Sequence, residues 1–170
     1  FQSTNPKHNG LRKIHPDGTG ESTILPGSAA LAELSPDGAH VSYIVEWGVD
    51  RIYLRVAGID GAPTSFEVDL GAWAGGNAGA VSRGRSRWLP DGRTIVYVGW
   101  DADGSYGLFA QEFAPDRDTS ATRRRIAGFD PELATESFGI SPDGRHVTIA
   151  GWEQLFSLMV ADALEGVAPA

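Results

Sequence analysis

The chain has 170 residues, of which 41% are hydrophobic and 21% charged, a balance typical of a globular protein with a buried core. Its net charge of −8 disfavours nucleic acid and anionic membrane surfaces as partners, because both attract basic faces. The sequence contains no run of about 18 apolar residues, so no membrane-spanning helix is predicted. The absence of cysteine excludes disulfides and thiolate chemistry.

The chain starts at Phe1, without a methionine and without a charged-then-apolar leader. We therefore expect it to be a processed or excised piece of a longer protein. The lack of cysteine leaves the compartment open, and a periplasmic or otherwise extracytoplasmic location is slightly favoured.

Two short strands are predicted near the start of the chain. Residues 11–15 and 21–25 flank a first Pro-Asp-Gly turn, which begins at Pro16. This hairpin, residues 11–25, would supply the outer strands of a preceding or closing structural unit.

A related turn recurs almost evenly along the rest of the chain. Its three copies follow Ser35, Leu89 and Ser141, and their prolines are 54 and 52 residues apart, which indicates a repeat architecture. Proline presets φ, aspartate bonds nearby backbone, and glycine accepts the positive φ that starts the next strand. The turn residues are Pro36, Asp37, Gly38, Pro90, Asp91, Gly92, Pro142, Asp143 and Gly144.

Hydrophobic runs flank each turn. The runs before the turns are residues 31–34, 87–89 and 138–140, and those after them are residues 41–45, 95–98 and 147–150. The later runs are β-branched, aromatic and nearly continuous, so they predict strands that are covered on both faces.

A third strand is predicted in each unit, at residues 52–54, 108–110 and 155–157, and a fourth in the first two units, at 65–70 and 122–127. Four short antiparallel strands covered on both faces describe a β-propeller blade, which must stack on its neighbours around an axis. Residues 152–164 also carry a helical apolar period, so a helix there is the alternative to the third strand of the last unit.

The predicted fold is all-β: one propeller segment, residues 1–170, of about three four-stranded antiparallel blades and 13 strands. The blades would occupy residues 29–70, 84–127 and, incompletely, 135–162. Four to eight blades usually close a propeller. The chain is therefore either part of a larger propeller, which we favour, or half of a six-bladed ring formed by a head-to-tail homodimer.

The repeats resemble a known family. The Ser-Pro-Asp-Gly pattern followed by hydrophobic residues at 35–44, 89–98 and 141–150 is similar to the WD-like repeats of TolB-like β-propellers, as is the segment 52–61 with its Asp-Gly turn. The resemblance implies a bacterial repeat protein and the C-terminal blades of a larger chain. Such propellers are mostly binding platforms, and they occur in periplasmic translocation proteins and beside peptidase or kinase domains, so the fold does not fix the function.

No pattern predicts a catalytic residue, a metal site or a cofactor. A Gly-x-Ser-x-Gly elbow is absent, and the serines of the repeat belong to its turns. His40 and His146 hold nearly equivalent positions on different blades, so we expect separate strand residues rather than a pair. His8 and His15 lack zinc-type spacing, and the acidic segment 101–104 lacks ligands that a calcium loop needs.

Three tryptophans fall where the second strand of a unit ends. Trp47 lies eleven residues after its turn proline, whereas Trp100 and Trp152 lie ten residues after theirs. They are predicted either to pack between blades or to form an aromatic rim that anchors a partner. The predicted partner-binding residues are Glu46, Trp47, Asp50, Trp100, Asp101, Asp103, Trp152 and Glu153.

Arginines cluster in the second unit of this acidic chain. Arg123, Arg124 and Arg125 are predicted on the outermost strand, where positive charge discourages edge-to-edge aggregation. The alternative is that they dock an acidic partner.

These features predict a non-enzymatic scaffolding module that mediates protein–protein interaction through loops on one face of a rigid ring. The alternative is an accessory propeller that gates or positions substrate for a serine peptidase or kinase domain outside this chain.

Overall fold

The computed structural model describes residues 1–3, 9–47, 51–71, 86–101, 106–126 and 134–152. The strands are β1 (Gln2–Ser3), β2 (Gly10–Lys13), β3 (Ser22–Pro26), β4 (Ala29–Leu34), β5 (His40–Trp47), β6 (Arg51–Gly58), β7 (Pro63–Asp69), β8 (Ser86–Trp88), β9 (Thr94–Trp100), β10 (Tyr106–Glu112), β11 (Arg124–Arg125), β12 (Ala134–Ile140) and β13 (Val147–Trp152). Within these ranges, no helix has the length and apolar character needed to cross a bilayer.

In the described ranges the strands form antiparallel sheets, which we name A to D in chain order. Sheet A has the order β1-β2-β3, sheet B the order β4-β5-β6-β7, sheet C the order β8-β9-β10-β11, and sheet D pairs β12 with β13. Sheets B and C are four-stranded meanders with the strand order of propeller blades. The prediction of an all-β propeller segment is therefore confirmed.

Apolar clusters join the sheets in series, A to B, B to C and C to D. The alternation of side chains along β9 shows how this works. Ile95 and Tyr97 are buried against sheet B, whereas Val96 and Val98 are buried with Phe138 of sheet D. β9 is covered on both faces, which explains why residues 95–98 are hydrophobic without a break.

The repeated turn closes the first hairpin of sheet B through its own side chains. The backbone N–H of His40 donates to Ser35 Oγ at 2.9 Å, and Ser35 Oγ donates to Asp37 Oδ1 at 2.6 Å. Gly38 has a φ of 70°, in the left-handed region that favours glycine. The same Ser–Asp pair recurs at Ser141 in sheet D.

The second copy of the turn reaches the same shape with different chemistry. Leu89 stands where the other copies have serine. Asp91 compensates by accepting directly from the backbone N–H of Thr94 at 2.9 Å, and from the Thr94 hydroxyl at 2.9 Å. The aspartate of this turn can therefore close the hairpin together with either a preceding serine or a following threonine.

We expect acid to weaken these turns. The hydroxyls of Ser35 and Ser141 lower the pKa of Asp37 and Asp143 respectively, with help from backbone N–H donors. A carboxyl group whose pKa is lower in the folded chain stabilises the fold above its unfolded pKa of about 4, and this contribution is lost as pH falls through the folded value.

Urea unfolding at about pH 7 and about pH 3 should therefore show lower stability in acid. The D37N/D143N variant keeps a hydrogen-bond acceptor but cannot titrate, so its loss of stability between the two pH values should be smaller. Equal losses in the variant and the natural chain would contradict this assignment.

The first strands of neighbouring sheets are joined by polar contacts. Arg87 Nη1 of β8 lies 3.2 Å from Glu33 Oε2 of β4, and Trp88 Nε1 donates to the Glu33 carbonyl oxygen at 3.3 Å. Ser42 Oγ and Ser86 Oγ form a buried hydrogen bond of 2.9 Å. These contacts fix sheet C against sheet B at the edge opposite β11.

Coverage of the last unit differs from the prediction. Residues 147–150 were expected to be covered on both faces, but all four are exposed, with Val147 at 38% and Ile149 at 41%. Val147 is paired with Ile140 and Ile149 with Phe138, so both lie on the face toward sheet C, but the described part of sheet C covers Phe138 of β12 and leaves β13 exposed. No described sheet follows sheet D to cover its other face. The predicted strand at 155–157 and the alternative helix lie outside the described residues, apart from Trp152, which ends β13.

Two edge strands also differ from the prediction. The fourth strand of sheet C, expected over 122–127, is limited to Arg124–Arg125, because residues Ser120–Thr122 form a 3₁₀ turn. Asp118 Oδ1 accepts from the Ser120 backbone N–H at 2.8 Å, and the Thr122 hydroxyl donates to the Thr119 carbonyl at 2.7 Å, which favours the turn over an extended strand. Sheet A gains β1, which the sequence pattern did not predict.

The predicted division into blade ranges remains a prediction.

Candidate binding site

The predicted partner-binding residues lie at one type of position in the sheets. Glu46 and Trp47 end β5, Trp100 ends β9, and Trp152 ends β13. These are the ends of the second strands of sheets B, C and D, as predicted from the sequence. Asp50, Asp103 and Glu153 lie outside the described residues.

Trp100 and Asp101 line a cleft with the arginine cluster. The cleft has a volume of about 430 Å³ and lies at the outer edge of sheet C. We name it the arginine cleft; its lining residues are Trp100, Asp101, Phe109, Arg123, Arg124 and Arg125. The structure thus brings together two sequence features that were predicted separately, the end of the second strand and the arginines of the fourth.

Arg123 is fixed in this cleft by an aromatic face and a carbonyl group. Its guanidinium carbon lies 4.1 Å from the ring centroid of Phe109 and 5.9 Å from that of Tyr97. One Nη donates a hydrogen bond to the Trp100 carbonyl oxygen. Cation–π contact and this hydrogen bond together hold the end of β9 against the strand that follows the 3₁₀ turn.

A pair of glycines makes room for the guanidinium groups. Gly99 and Gly107 are directly opposed in the β9–β10 ladder. A Cβ atom on Gly107 would lie 3.2 Å from Arg125 Nε, and one on Gly99 would lie 3.5 Å from an Arg123 nitrogen. A Cβ at Gly107 would therefore crowd Arg125, whereas one at Gly99 would make an ordinary contact with Arg123.

The face on which each arginine lies follows from strand register. Arg125 pairs with Phe109, and Arg124 pairs with Ala110. Directly opposed residues share a face of a sheet, so Arg125 lies on the Phe109 face, toward sheet B, and Arg124 lies on the other face. Trp100 belongs to the same corner, because a Cβ on Gly71 at the end of sheet B would contact its ring at 4.0 Å.

Tyr97 beneath the cleft is a structural residue. Burial raises its pKa to about 12, against the opposing charge of Arg123. Its hydroxyl donates to Gln111 Oε1 at 3.0 Å, inside the protein. The phenol therefore stays protonated at neutral pH and serves packing rather than proton transfer.

The described histidines are not gathered into a site. His40 packs edge-on against Phe113, with ring centroids 4.9 Å apart. His146 is exposed, with Nδ1 3.9 Å from Asp143 Oδ1, and His15 is exposed in the first turn. His8 lies outside the described residues. Among the described residues, no three histidine, aspartate or glutamate side chains are grouped for metal binding, and the expectation of no metal or cofactor stays a prediction.

Sequence reasoning missed two aromatic contacts of sheet C, one in the cleft and one at the opposite end of the sheet. Phe109 was predicted only as a strand residue, and its contact with Arg123 depends on the register of β10 against β11. Phe113 was not singled out, although its ring meets those of Phe66 and Trp88 edge-on between sheets B and C. An apolar residue just after β10 was the available signal, but its partners come from three separate strands and turns.

A solved prolyl endopeptidase has a similar fold. It comes from a study of two such enzymes and the role of inter-domain dynamics in their catalysis and specificity. The match has a TM-score of 0.57 and 19% sequence identity, and covers 81% of this chain but 20% of the enzyme. That enzyme contains a propeller domain. At this identity the similarity establishes the fold, and the chain is a propeller-like segment by both its sheet stacking and this comparison.

Comparison of amino-acid sequences gives a match over a shorter part of the chain. The chain is 30% identical over 93 residues to the non-reducing polyketide synthase ausA of Emericella nidulans, a match that covers 55% of this chain and 4% of the synthase. No family model matches the chain. The chain therefore spans a small part of both of these proteins.

Proposed function

We propose that this chain is a segment of a TolB-like, WD-like propeller that acts as a non-enzymatic binding module for a protein partner. The observation that carries the proposal is the half-exposed Trp100 beside the arginine cleft, at the end of the second strand of sheet C. The stacked sheets supply the rigid support, because Ile95, Tyr97 and Val98 beneath it are fully buried.

The composition of this corner is typical of an interface. Tryptophan and arginine are the residue types most enriched among binding hot spots. Trp100 is 36% exposed, so about a third of this large aromatic residue can still be buried by a partner. Lining by arginines rather than lysines adds planar, bidentate donors to the same surface.

Replacing Trp100 by alanine tests the proposal. Affinity for the protein partner, identified by cross-linking to the natural chain, should fall by at least about tenfold in W100A, because a hot-spot tryptophan is lost. I149A is the matched control, because Ile149 is an apolar residue of similar exposure (41%) in the neighbouring sheet D and does not line the arginine cleft.

The melting temperatures of both variants should stay near that of the natural chain. Equal partner affinity in W100A, I149A and the natural chain would contradict the proposal. Loss of affinity in both variants alike would place the interface elsewhere on the protein.

A second candidate is an accessory propeller that gates or positions substrate for a catalytic domain. The similarity to a prolyl endopeptidase, in which this type of domain accompanies a peptidase domain, favours it. The sequence of the full-length gene tests it: a peptidase or kinase domain fused to further Pro-Asp-Gly repeats would support it over the free binding module. Light scattering separately tests the head-to-tail homodimer, which requires twice the chain mass.

A further inference from the structure

A second cleft lies between sheets A and B, at the strand ends that adjoin the first two Pro-Asp-Gly turns, and has a volume of about 270 Å³. We infer that it receives the phenyl ring of a phenylalanine in an apolar peptide segment of a protein partner. The inference goes beyond the proposed function, because among the described residues this cleft shares no lining residue with the arginine cleft. Apart from Phe1, its described lining residues belong to the continuous ranges 9–47 and 51–71.

The argument starts from Ile59 and Phe113, which occupy equivalent positions in sheets B and C. Each residue directly follows the third strand of its sheet. Each also donates its backbone N–H to the carbonyl of the residue after the turn glycine, Ile59 to Ala39 at 2.9 Å and Phe113 to Arg93 at 2.6 Å. Ile59 packs on the cluster between sheets A and B, and Phe113 packs on the cluster between sheets B and C. The two side chains therefore face equivalent gaps between neighbouring sheets.

An aromatic ring fills one of these gaps. The Phe113 ring meets the rings of His40, Phe66 and Trp88 edge-on, with centroids 4.9, 6.0 and 5.1 Å away. Between sheets A and B the smaller Ile59 stands in its place and lines the cleft. A cavity of about 150 Å³ holds benzene, so the cleft has space for a phenyl group. A ring supplied by a partner would take the position that Phe113 takes one repeat further along the chain.

The lining of the cleft favours an all-carbon ring. Its floor consists of buried apolar residues from the cluster between sheets A and B: Leu11, Ile24 and Val41. Arg12 and Lys13 are the polar side chains among the described lining residues, and both carry donors only. The indole N–H of a tryptophan or the O–H of a tyrosine would find no side-chain acceptor here and would lose a hydrogen bond to water. Phenylalanine has no such group to bury.

The rim of the cleft favours a peptide over a free aromatic molecule. Ile14, just after β2, is 44% exposed, and Leu34, at the end of β4, is 54% exposed. Both line the cleft, so apolar surface continues from it onto sheet A and sheet B. A single ring would leave these side chains in water, whereas apolar residues on either side of a phenylalanine would cover them.

Fluorine NMR of the peptide Gly-Leu-Phe-Leu-Gly, blocked at both ends and fluorinated on its phenyl ring, tests the inference. The natural chain should bind the peptide and broaden its fluorine signal. Ile59→Phe should weaken binding by at least about tenfold, because the protein's own ring then fills the cleft and the peptide ring stays in water. The same variant should melt about 2–4 °C higher than the natural chain, since filling a cavity stabilises the fold.

Two further variants make the test specific. Val147→Phe adds the same ring at an exposed apolar position of sheet D, outside the cleft, and should bind the peptide as the natural chain does. Leu34→Ala removes part of the rim but not the floor. It should weaken the peptide by about fivefold and leave the binding of fluorobenzene unchanged, because only the peptide reaches the rim.

Several results would overturn the inference: no binding of the peptide, equal binding by I59F and V147F, a lower melting temperature of I59F, or tighter binding of fluorobenzene than of the peptide. Loss of peptide binding in W100A would place the peptide at the arginine cleft and would overturn it as well. Failure of the proposed function is a separate result, because the partner of the arginine cleft depends on Trp100 and the peptide depends on residue 59.

Discussion

Replacing Ile95 by alanine is expected to lower the free energy of unfolding by about 2–5 kcal/mol. Ile95 is fully buried in the cluster between sheets B and C, where it packs with residues of β6 and β7. Removing its side chain leaves a cavity between the two sheets, and neither sheet can close the gap without moving its hydrogen-bonded neighbours. Urea unfolding followed by tryptophan fluorescence measures the change.

The control makes the same substitution in the neighbouring sheet. Ile149 is 41% exposed on sheet D, so Ile149→Ala should cost less than about 1 kcal/mol. Equal stability of the two alanine variants would contradict the burial of Ile95 between sheets B and C. The comparison thus tests the propeller-like arrangement directly, with chemistry and residue size held constant.

Replacing Gly61 by alanine is expected to be the second most damaging change, at about 2–4 kcal/mol. Gly61 has a φ of 89° in the turn between β6 and β7, and an added Cβ would collide with the carbonyl oxygen of Ile24 in sheet A. The obstacle is backbone, so no side-chain rotation relieves it. The turn would have to move away from β3, which weakens the junction between sheets A and B.

Substitution of Gly38 is the control that separates the strain of a positive φ from the collision with the Ile24 carbonyl. Its φ of 70° is also in the left-handed region, but an added Cβ would meet nothing within 4 Å. Gly38→Ala should therefore cost only the backbone preference, about 1 kcal/mol. The difference between the two variants, measured by thermal or urea unfolding, is the contribution of the sheet A to sheet B contact. Equal losses would show that this contact adds nothing.

The local parts of the fold were predictable because their chemistry is local. The Pro-Asp-Gly turns need only a fixed φ, a nearby acceptor and a glycine, all of which lie within six residues of one another in the sequence. The continuous hydrophobic runs at 41–45 and 95–98 likewise predicted coverage on both faces. The run at 147–150 is also rich in β-branched residues but is exposed, because coverage depends on how far the neighbouring sheet extends over the strand.

The candidate site was predictable only in pieces. Trp100 and Asp101 were selected because the second strand ends there, and the arginines because they are basic residues on an outer strand of an acidic chain. Nothing in the spacing of 23 residues between Trp100 and Arg123 indicates that they share a cleft. Their proximity follows from the register of β9, β10 and β11, which the short 3₁₀ turn before β11 sets.

The amino-acid sequence determined the repeat, its turns, the extended conformation of the hydrophobic runs beside the turns and the acidic character of the chain. These properties depend on neighbouring residues and on composition. Tertiary structure decided which face of each strand is buried against which sheet, which glycines are irreplaceable, and that Arg123 lies on Phe109 at the edge of sheet C. The physical reason is that burial and cation–π contact are properties of surfaces brought together by strand register and sheet stacking. The extent of burial and the strength of a cation–π contact are set by a residue's neighbours in space rather than by its own type.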